Sequence, residues 1–394
     1  MLLIVNGRLL TMTGTDYKKG AVLIDGQTIQ QVGDFDTTGL PVSRVIDASN
    51  CWVLPGLIEA HCHIGIIEER KGFEGDDCNE KTRPITPYLR ALDAINPMDC
   101  AFHCALSAGI TGVMAGPGSS NIVGGQFVFL KTYGRSIDNM AVLQPAAMKI
   151  AFGENPKANY HKKDIMPTTR MAIGAMLREE LFEARQYYED KKTAKEAGEP
   201  FKQEFKKECW IPVLDRMVPL KAHAHRADDI LTAIRIAKEF NLKLTLDHCT
   251  EGHLIAKEIA ASGFPAIVGP AMTCRNKVET QNADFKTASI LHEAGVKVAI
   301  TTDHPVTRIQ DLPVCAGFAA REGLGVQEGL RAVTINAAEI CNVSRRIGSL
   351  EPGKDADIAI FSGNPMEVFT KTLYTIVNGE VVYESKESTG ASPL

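Results

Sequence analysis

The chain has 394 residues, 44% hydrophobic and 23% charged, with 43 basic against 48 acidic side chains and a formal net charge of −5. That composition is ordinary for a globular protein with a substantial core, and it argues against a nucleic-acid or anionic-membrane surface as the main binding face. At about 150 residues per domain the length allows two to three units, but a barrel of about 250 residues counts once.

The N-terminal run MLLIVNGRLLTMTG opens apolar but is broken by Asn6, Gly7 and Arg8. It carries no basic n-region and no small-residue cleavage site, so it does not read as a signal peptide. No window approaches the about 18 uninterrupted apolar residues of a membrane span. The first fifty residues read as short strands, LLIVNGRLL, AVLIDGQTIQQVG and SRVIDA, punctuated by Asn-Gly and Asp-Gly, the strongest short hairpin signal. The last fifty have the same texture, ADIAIFSG and then LYTIVNGEVVYE with another Asn-Gly. The shared pattern predicts that both ends pair into one small β-sandwich, residues 1–52 with 344–394, and that residues 53–343 are inserted between them.

The inserted part alternates. Seven apolar runs, WVLPGLIEAH, GITGVMAG, AAMKIAFG, PLKAHAH, LKLTLDH, PAIVG and VKVAITTD, read as buried parallel strands, each followed by a stretch of helical period such as 228–240 and 284–294. Strand–helix repetition over this length predicts an α/β fold of the (β/α)8 TIM-barrel type, with the eighth strand around 126–131. Two segments break the rhythm. Residues 187–207, YYEDKKTAKEAGEPFKQEFKK, read as a solvated helical excursion outside the barrel, with a lid or an oligomer contact as the other options. GPGSSNIVGG, residues 116–125, lacks the Gly-Lys-Ser/Thr ending of a P-loop and reads as a loop at the catalytic rim.

Ten cysteines are scattered singly, with no Cys-x-x-Cys pair, and read as free thiols in a reducing cytoplasm. The ten histidines are not scattered in that way. His61 and His63 end VLPGLIEAHCH, His223 and His225 end PLKAHAH, His248 ends LKLTLDH, and Asp303 ends VKVAITTD. On a strand, residues i and i+2 share a face, so each His-x-His pair aims two imidazoles at one spot. Barrel active sites are built at the C-terminal strand ends from several strands. A lone histidine at a strand end is usually a satisfied packing residue. Two pairs, a further histidine and an aspartate at one structural position point instead to a metal site, with imidazole and carboxylate suited to zinc or another first-row divalent ion.

VLPGLIEAHCHIG resembles the first-strand signature of the amidohydrolase superfamily, metal-dependent hydrolases on a (β/α)8 barrel. RIGSLEPGKDADIAIFSG followed by VNGEVVY is similar to that family's return into its β-sandwich, in the imidazolonepropionase-related branch. The resemblance spans nearly the whole chain, apart from residues 165–207. It implies one or two divalent ions, zinc first, with Mn, Co and Fe open. His61 and His63 match the first-strand metal pair, His223 the fifth-strand ligand and His248 the sixth-strand histidine, a ligand that also steadies the oxyanion. Asp303 matches the eighth-strand aspartate, both ligand and proton acceptor, while His225 falls second in its pair as a neighbour facing the pocket. For the bridging ligand MKIAFGENP offers Lys149, which would be carboxylated, and Glu154. Glu154 is preferred, because Glu-Asn-Pro resembles the Glu-Gly-Pro of acetylglucosamine-phosphate deacetylases.

The implied reaction is hydrolysis of a C–N bond in a cyclic amide, amide or dipeptide-like small molecule by a metal-bound hydroxide. Two other functions stay open, a deaminase of a ring amine and an inactive barrel. Mononuclear deaminases of the superfamily commonly place a Glu three residues after the fifth-strand histidine, where this chain has Arg226. The expected partner is a small-molecule substrate, with no nucleic acid and no membrane, and a homo-oligomer is allowed. His253, Arg226, Arg275 and the 116–125 loop are the candidates to meet a substrate carboxylate.

Overall fold

The computed structural model describes residues 1–69 and 71–386, so residues 387–394 of the expected C-terminal segment lie outside the described residues. In chain order the strands are β1 (Leu2–Leu9), β2 (Tyr17–Asp25), β3 (Thr28–Gly33), β4 (Arg44–Asp47) and β5 (Trp52–Pro55). Next come β6 (Leu57–Cys62), β7 (Ile110–Ala115), β8 (Val123–Lys131), β9 (Ala141–Ala151), β10 (Leu220–Ala224), β11 (Leu244–His248), β12 (Ala266–Val268) and β13 (Val298–Ile300). The chain ends with β14 (Ile358–Phe361), β15 (Thr372–Val377) and β16 (Glu380–Glu384).

Strands from both chain ends share one sheet, in the order β16-β15-β14-β5-β1-β2-β3, with β4 added on β1. This is the small β-sandwich. Its first and last segments meet where β14 runs antiparallel to β5. Strand β1 changes partner along its length: Leu2–Val5 pair with β4, whereas Arg8 and Leu9 pair with β5. Asn6, at φ 64°, and Gly7 sit at that changeover, where the register with β2 also shifts. This Asn-Gly is therefore a bulge and not the hairpin expected, and Gly7 is required by close packing, since a Cβ there would lie 2.5 Å from Val53 Cγ2. The Asn-Gly of the C-terminal pair does form a two-residue hairpin between β15 and β16. Asn378 (φ 49°) and Gly379 (φ 78°) both hold the left-handed conformation of a type I′ turn. Leu2, Ile4, Val22, Ile24, Ile358 and Ile376 fill the space between the layers.

The second sheet, β13-β12-β11-β10-β9-β8-β7-β6, curls into a barrel. Its edges approach each other where the His63 N–H donates to the His304 carbonyl at 2.8 Å and Thr301 Oγ1 to the His61 carbonyl at 2.7 Å. Every residue of β6, β7, β8, β10 and β11 is buried, which is why these strands show no alternation between an apolar and a solvent-facing side. The eighth strand lies close to its expected place, as β8, but runs antiparallel to both β7 and β9. The reason is connection length. A parallel crossover needs a dozen or more residues, and only residues 116–122 link β7 to β8. Strict strand–helix alternation therefore fails here and holds better from β9 onward, with helices Ala227–Glu239 after β10 and Thr287–Glu293 after β12.

The charged excursion is longer than its charge run. The helix Arg170–Ala197 starts at Thr169, whose side chain accepts the Ala172 N–H at 3.1 Å, and stops at left-handed Gly198. Ile173, Leu177, Leu181 and Ala184 make its buried stripe, and the Lys/Glu-rich remainder faces outward. Lys131, buried at the end of β8, ties barrel to sandwich through Asp355 at 2.9 Å and Asp357 at 2.6 Å. Among the described residues, no helix is long and apolar enough to cross a membrane.

Candidate metal centre

Four strand ends meet at one mouth of the barrel. His61 and His63 come from the end of β6, His223 and His225 from β10, and His248 from β11, while Asp303 follows β13. Backbone geometry marks the last two: His248 has φ 70° and Asp303 φ 51°. Non-glycine residues in that region are uncommon and cluster where a site imposes them.

The side chains form two groups, His61 with His63 and Asp303, and His223 with His225 and His248, and within each the ligating atoms all lie within 4.8 Å of one another. Asp303 Oδ1 stands 3.5 Å from His61 Nε2 and 3.3 Å from His63 Nε2, and its Oδ2 stands 3.8 Å from His248 Nδ1. The ring centroids of His61 and His248 are 5.0 Å apart, so the groups adjoin. His225, expected as a neighbour, packs with its centroid 4.6 Å from that of His223 and 4.8 Å from that of His248.

Each ring is aimed by a bond on its far side. His61 Nδ1 meets Asp247 Oδ2 at 2.8 Å, His63 Nδ1 the Gly116 carbonyl at 2.7 Å, and His248 Nδ1 the Gly269 carbonyl at 2.9 Å. A carbonyl can only accept, so His63 and His248 each carry a proton on Nδ1. His248 presents its Nε2 lone pair, whereas Cys78 and Asp303 outweigh burial and raise the His63 imidazole to about 10, so a cation there would displace the proton on its Nε2. Burial pushes the imidazoles of His61, His223 and His248 well below their usual range, and that of His225 down to about 3. Neutral imidazole is the metal-binding form.

Three buried atoms here, His223 Nδ1, His248 Nε2 and Asp303 Oδ1, have no hydrogen-bond partner. Each such orphan costs about 1–3 kcal/mol. By the same donor–acceptor rule His223, whose Nε2 lies 3.3 Å from the Asn155 NH₂ donor, keeps its proton on Nδ1, while His248 Nε2 and Asp303 Oδ1 have lone pairs to offer, which fits a cation-binding centre.

The bridging candidates part company. Lys149, fully buried in β9, places Nζ 3.3 Å from His61 Nε2. Burial brings its amine down to about 8, against the opposing pull of Asp247 and Asp303. Glu154 opens the helix Glu154–His161, and among the described residues it belongs to neither group of ligating atoms. Its backbone N–H donates to Glu279 Oε2 at 2.9 Å. The apolar run carries Lys149 inward along the strand, while Gly153, at φ 84°, turns the chain before Glu154.

The residues expected to meet a substrate carboxylate are held by the protein. Arg226 pairs with Asp228 at 2.9 Å, Arg275 donates to the Ala283 carbonyl at 2.7 Å, and His253 Nδ1 faces Thr287 Oγ1 at 3.0 Å. From the 116–125 loop, Ser119 Oγ accepts from Asn155 at 2.7 Å. Three buried groups had gone unremarked in the sequence. Asp247 steadies His61 and is itself held by Thr245 Oγ1 at 2.9 Å and Lys221 Nζ at 3.2 Å. Glu59, raised to about 7 by burial, accepts from Thr301 at 2.5 Å and from Thr302 at 2.6 Å. Both are charges inside apolar strands, a usable signal. Glu279, 1% exposed beneath His223 and His225, comes from a polar loop with no periodicity to flag it.

A barrel with imidazoles and a carboxylate gathered at one rim has the donor set of the metal-dependent hydrolase class. The amidohydrolase family model matches residues 219–383. An amidohydrolase from Thermotoga maritima MSB8 is 37% identical and superposes with a TM-score of 0.94, covering 98% of this chain and 100% of that one. Amidohydrolase tasK of Hapsidospora irregularis is 24% identical over 392 residues, 93% of this chain, which spans only 40% of that relative's length. Imidazolonepropionase of Maricaulis maris is 26% identical over 391 residues, 91% of this chain and 92% of the relative. The chain belongs to the amidohydrolase family and is a hydrolase acting on carbon–nitrogen bonds.

Proposed function

We propose that this enzyme hydrolyses the C–N bond of a small amide, cyclic amide or dipeptide-like compound, using one or two divalent ions, zinc foremost. The observation that carries the reading is the pair of adjoining groups, His61 with His63 and Asp303 and His223 with His225 and His248, each with its ligating atoms within 4.8 Å of one another. His61, His63 and Asp303 would hold one ion, and His223 and His248 the other. Lys149, its amine carboxylated by CO₂, would supply the carboxylate between them, a reading favoured over Glu154 by the 3.3 Å approach of Nζ to His61.

A bound divalent ion lowers the pKa of water and polarises the scissile carbonyl. The chain's own groups do the rest. Asp303 Oδ1, 3.3 Å from His63 Nε2 and 3.5 Å from His61 Nε2, takes the proton of the attacking water and delivers it to the leaving nitrogen. Asp247 keeps His61 in one orientation, and the Gly116 and Gly269 carbonyls do the same for His63 and His248. The buried walls of β6, β10 and β11 keep bulk water from these groups.

The test is metal analysis of purified protein with a turnover screen of dipeptides, N-acyl amino acids, lactams and hydantoins. Exhaustive chelation should abolish cleavage, and Zn²⁺, Mn²⁺ or Co²⁺ should restore it. Unchanged turnover in protein shown to be metal-free refutes the reading.

A further inference from the structure

Glu279 lies on the short helical turn Val278–Thr280 between β12 and β13, almost wholly buried. Its two oxygens differ. Oε2 accepts the Glu154 N–H at 2.9 Å, and a Cβ on Gly153 would lie 2.8 Å from it, so the carboxylate is wedged in place from behind. Oε1 has no hydrogen-bond partner. It faces His223 Nε2 at 3.9 Å, His225 Nε2 at 3.8 Å and Lys277 Nζ at 3.9 Å, all beyond hydrogen-bond reach. The Lys277 amine instead donates to Asn155 Oδ1 at 2.8 Å. A buried acceptor thus stands within 4 Å of two imidazoles of the centre without a hydrogen bond to either. The guanidinium groups of Arg226 and Arg275 are engaged elsewhere, with Asp228 and the Ala283 carbonyl. What Oε1 lacks is a donor within hydrogen-bond reach.

We propose that Glu279 Oε1 is the subsite for an amino group of the substrate, which narrows the substrate class to small amides bearing a free primary amine beside the scissile C–N bond, dipeptide-like compounds with an unblocked N-terminus above all. The inference rests on the proposed function of the same centre. A primary amine brings several N–H donors on one small atom, enough to satisfy Oε1 and to reach toward a neighbouring imidazole. An acylated nitrogen brings one donor and a bulky substituent into a closed wall. A site built to bond a donor discriminates against the analogue that lacks it, because its own acceptor is then left unpaired.

The experiment compares L-alanyl-L-alanine with N-acetyl-L-alanyl-L-alanine on metal-loaded wild-type enzyme and on Glu279→Gln. Gln can keep the bond to the Glu154 N–H while turning an NH₂ toward His223 and His225. Wild type should favour the free amine by about 10- to 100-fold in kcat/KM, the worth of a charge-assisted hydrogen bond, with the difference carried by KM. In Glu279→Gln the ratio should fall to near one. No preference in wild type overturns the proposal, and so does an unchanged preference in folded, metal-loaded Glu279→Gln. Calorimetric titration of wild type with L-alaninol and with propane-1,2-diol, neither of which has an amide to cleave, separates this inference from the reading it rests on. Tighter binding of the amine without cleavage of any amide leaves the subsite standing and sinks the proposed function. Cleavage with no amine preference does the reverse.

Discussion

Replacing Asp303 by Asn separates chemistry from structure. Its side chain caps nothing: Oδ1 has no hydrogen-bond partner, and the next helical turn begins only at Ile309. The backbone there is left-handed, φ 51°, a conformation Asn tolerates as well as Asp does. The isosteric change should therefore cost about 1 kcal/mol of stability or less. What it removes is the basic oxygen 3.3 Å from His63 Nε2 and 3.5 Å from His61 Nε2. An amide cannot take a proton near neutral pH, and general-base catalysis is worth about 10²–10⁴-fold. At 1.36 kcal/mol per tenfold, that is a loss of about 2.7–5.4 kcal/mol of transition-state stabilisation. The assay is kcat on the best amide from the screen at saturating metal, with metal content and thermal unfolding measured on the same preparation. A kcat within a few-fold of wild type in folded, metal-loaded Asp303→Asn would refute the assignment of the base.

Lys149→Met should lose an ion from a two-ion preparation while Glu154→Gln keeps the wild-type metal count, and the opposite pattern returns the bridging role to Glu154. Asp247→Ala removes the 2.8 Å support of His61 Nδ1. Metal affinity, read by chelator competition, should fall about 10–100-fold, and an unchanged affinity would show that the ring needs no such support. Lys131→Met leaves the buried Asp357 carboxylate without its cation, and urea unfolding should report a loss of about 3–5 kcal/mol. A loss under 1 kcal/mol would mean that water or another group takes over.

The gathering of the candidate residues was legible because histidines at the ends of apolar strands are a local pattern. Apolar runs mark buried strands, and a period of two puts His61 with His63 and His223 with His225 on shared faces whatever the rest of the chain does. The pairing of the chain ends was legible for a similar reason, since Asn378-Gly379 needs only its own two backbone conformations to make a hairpin. Asn6-Gly7 carries the same letters and became a bulge, because β1 had to pass from β4 to β5 there, a demand set by strands forty residues away. The direction of β8 was half legible: residues 116–122 are too few for a crossover, but only the assembled barrel shows which neighbours β8 joins. The choice between Lys149 and Glu154 lay beyond local reading, since it turns on where Gly153 sends the chain and on what stands opposite. Glu279 had no local signature at all. Its carboxylate reaches the centre because the loop after β12 folds over the end of β10 and leaves one oxygen facing two imidazoles. Short-range rules assign residue types to strand ends, but distances between groups far apart in the chain exist only once the barrel has curled.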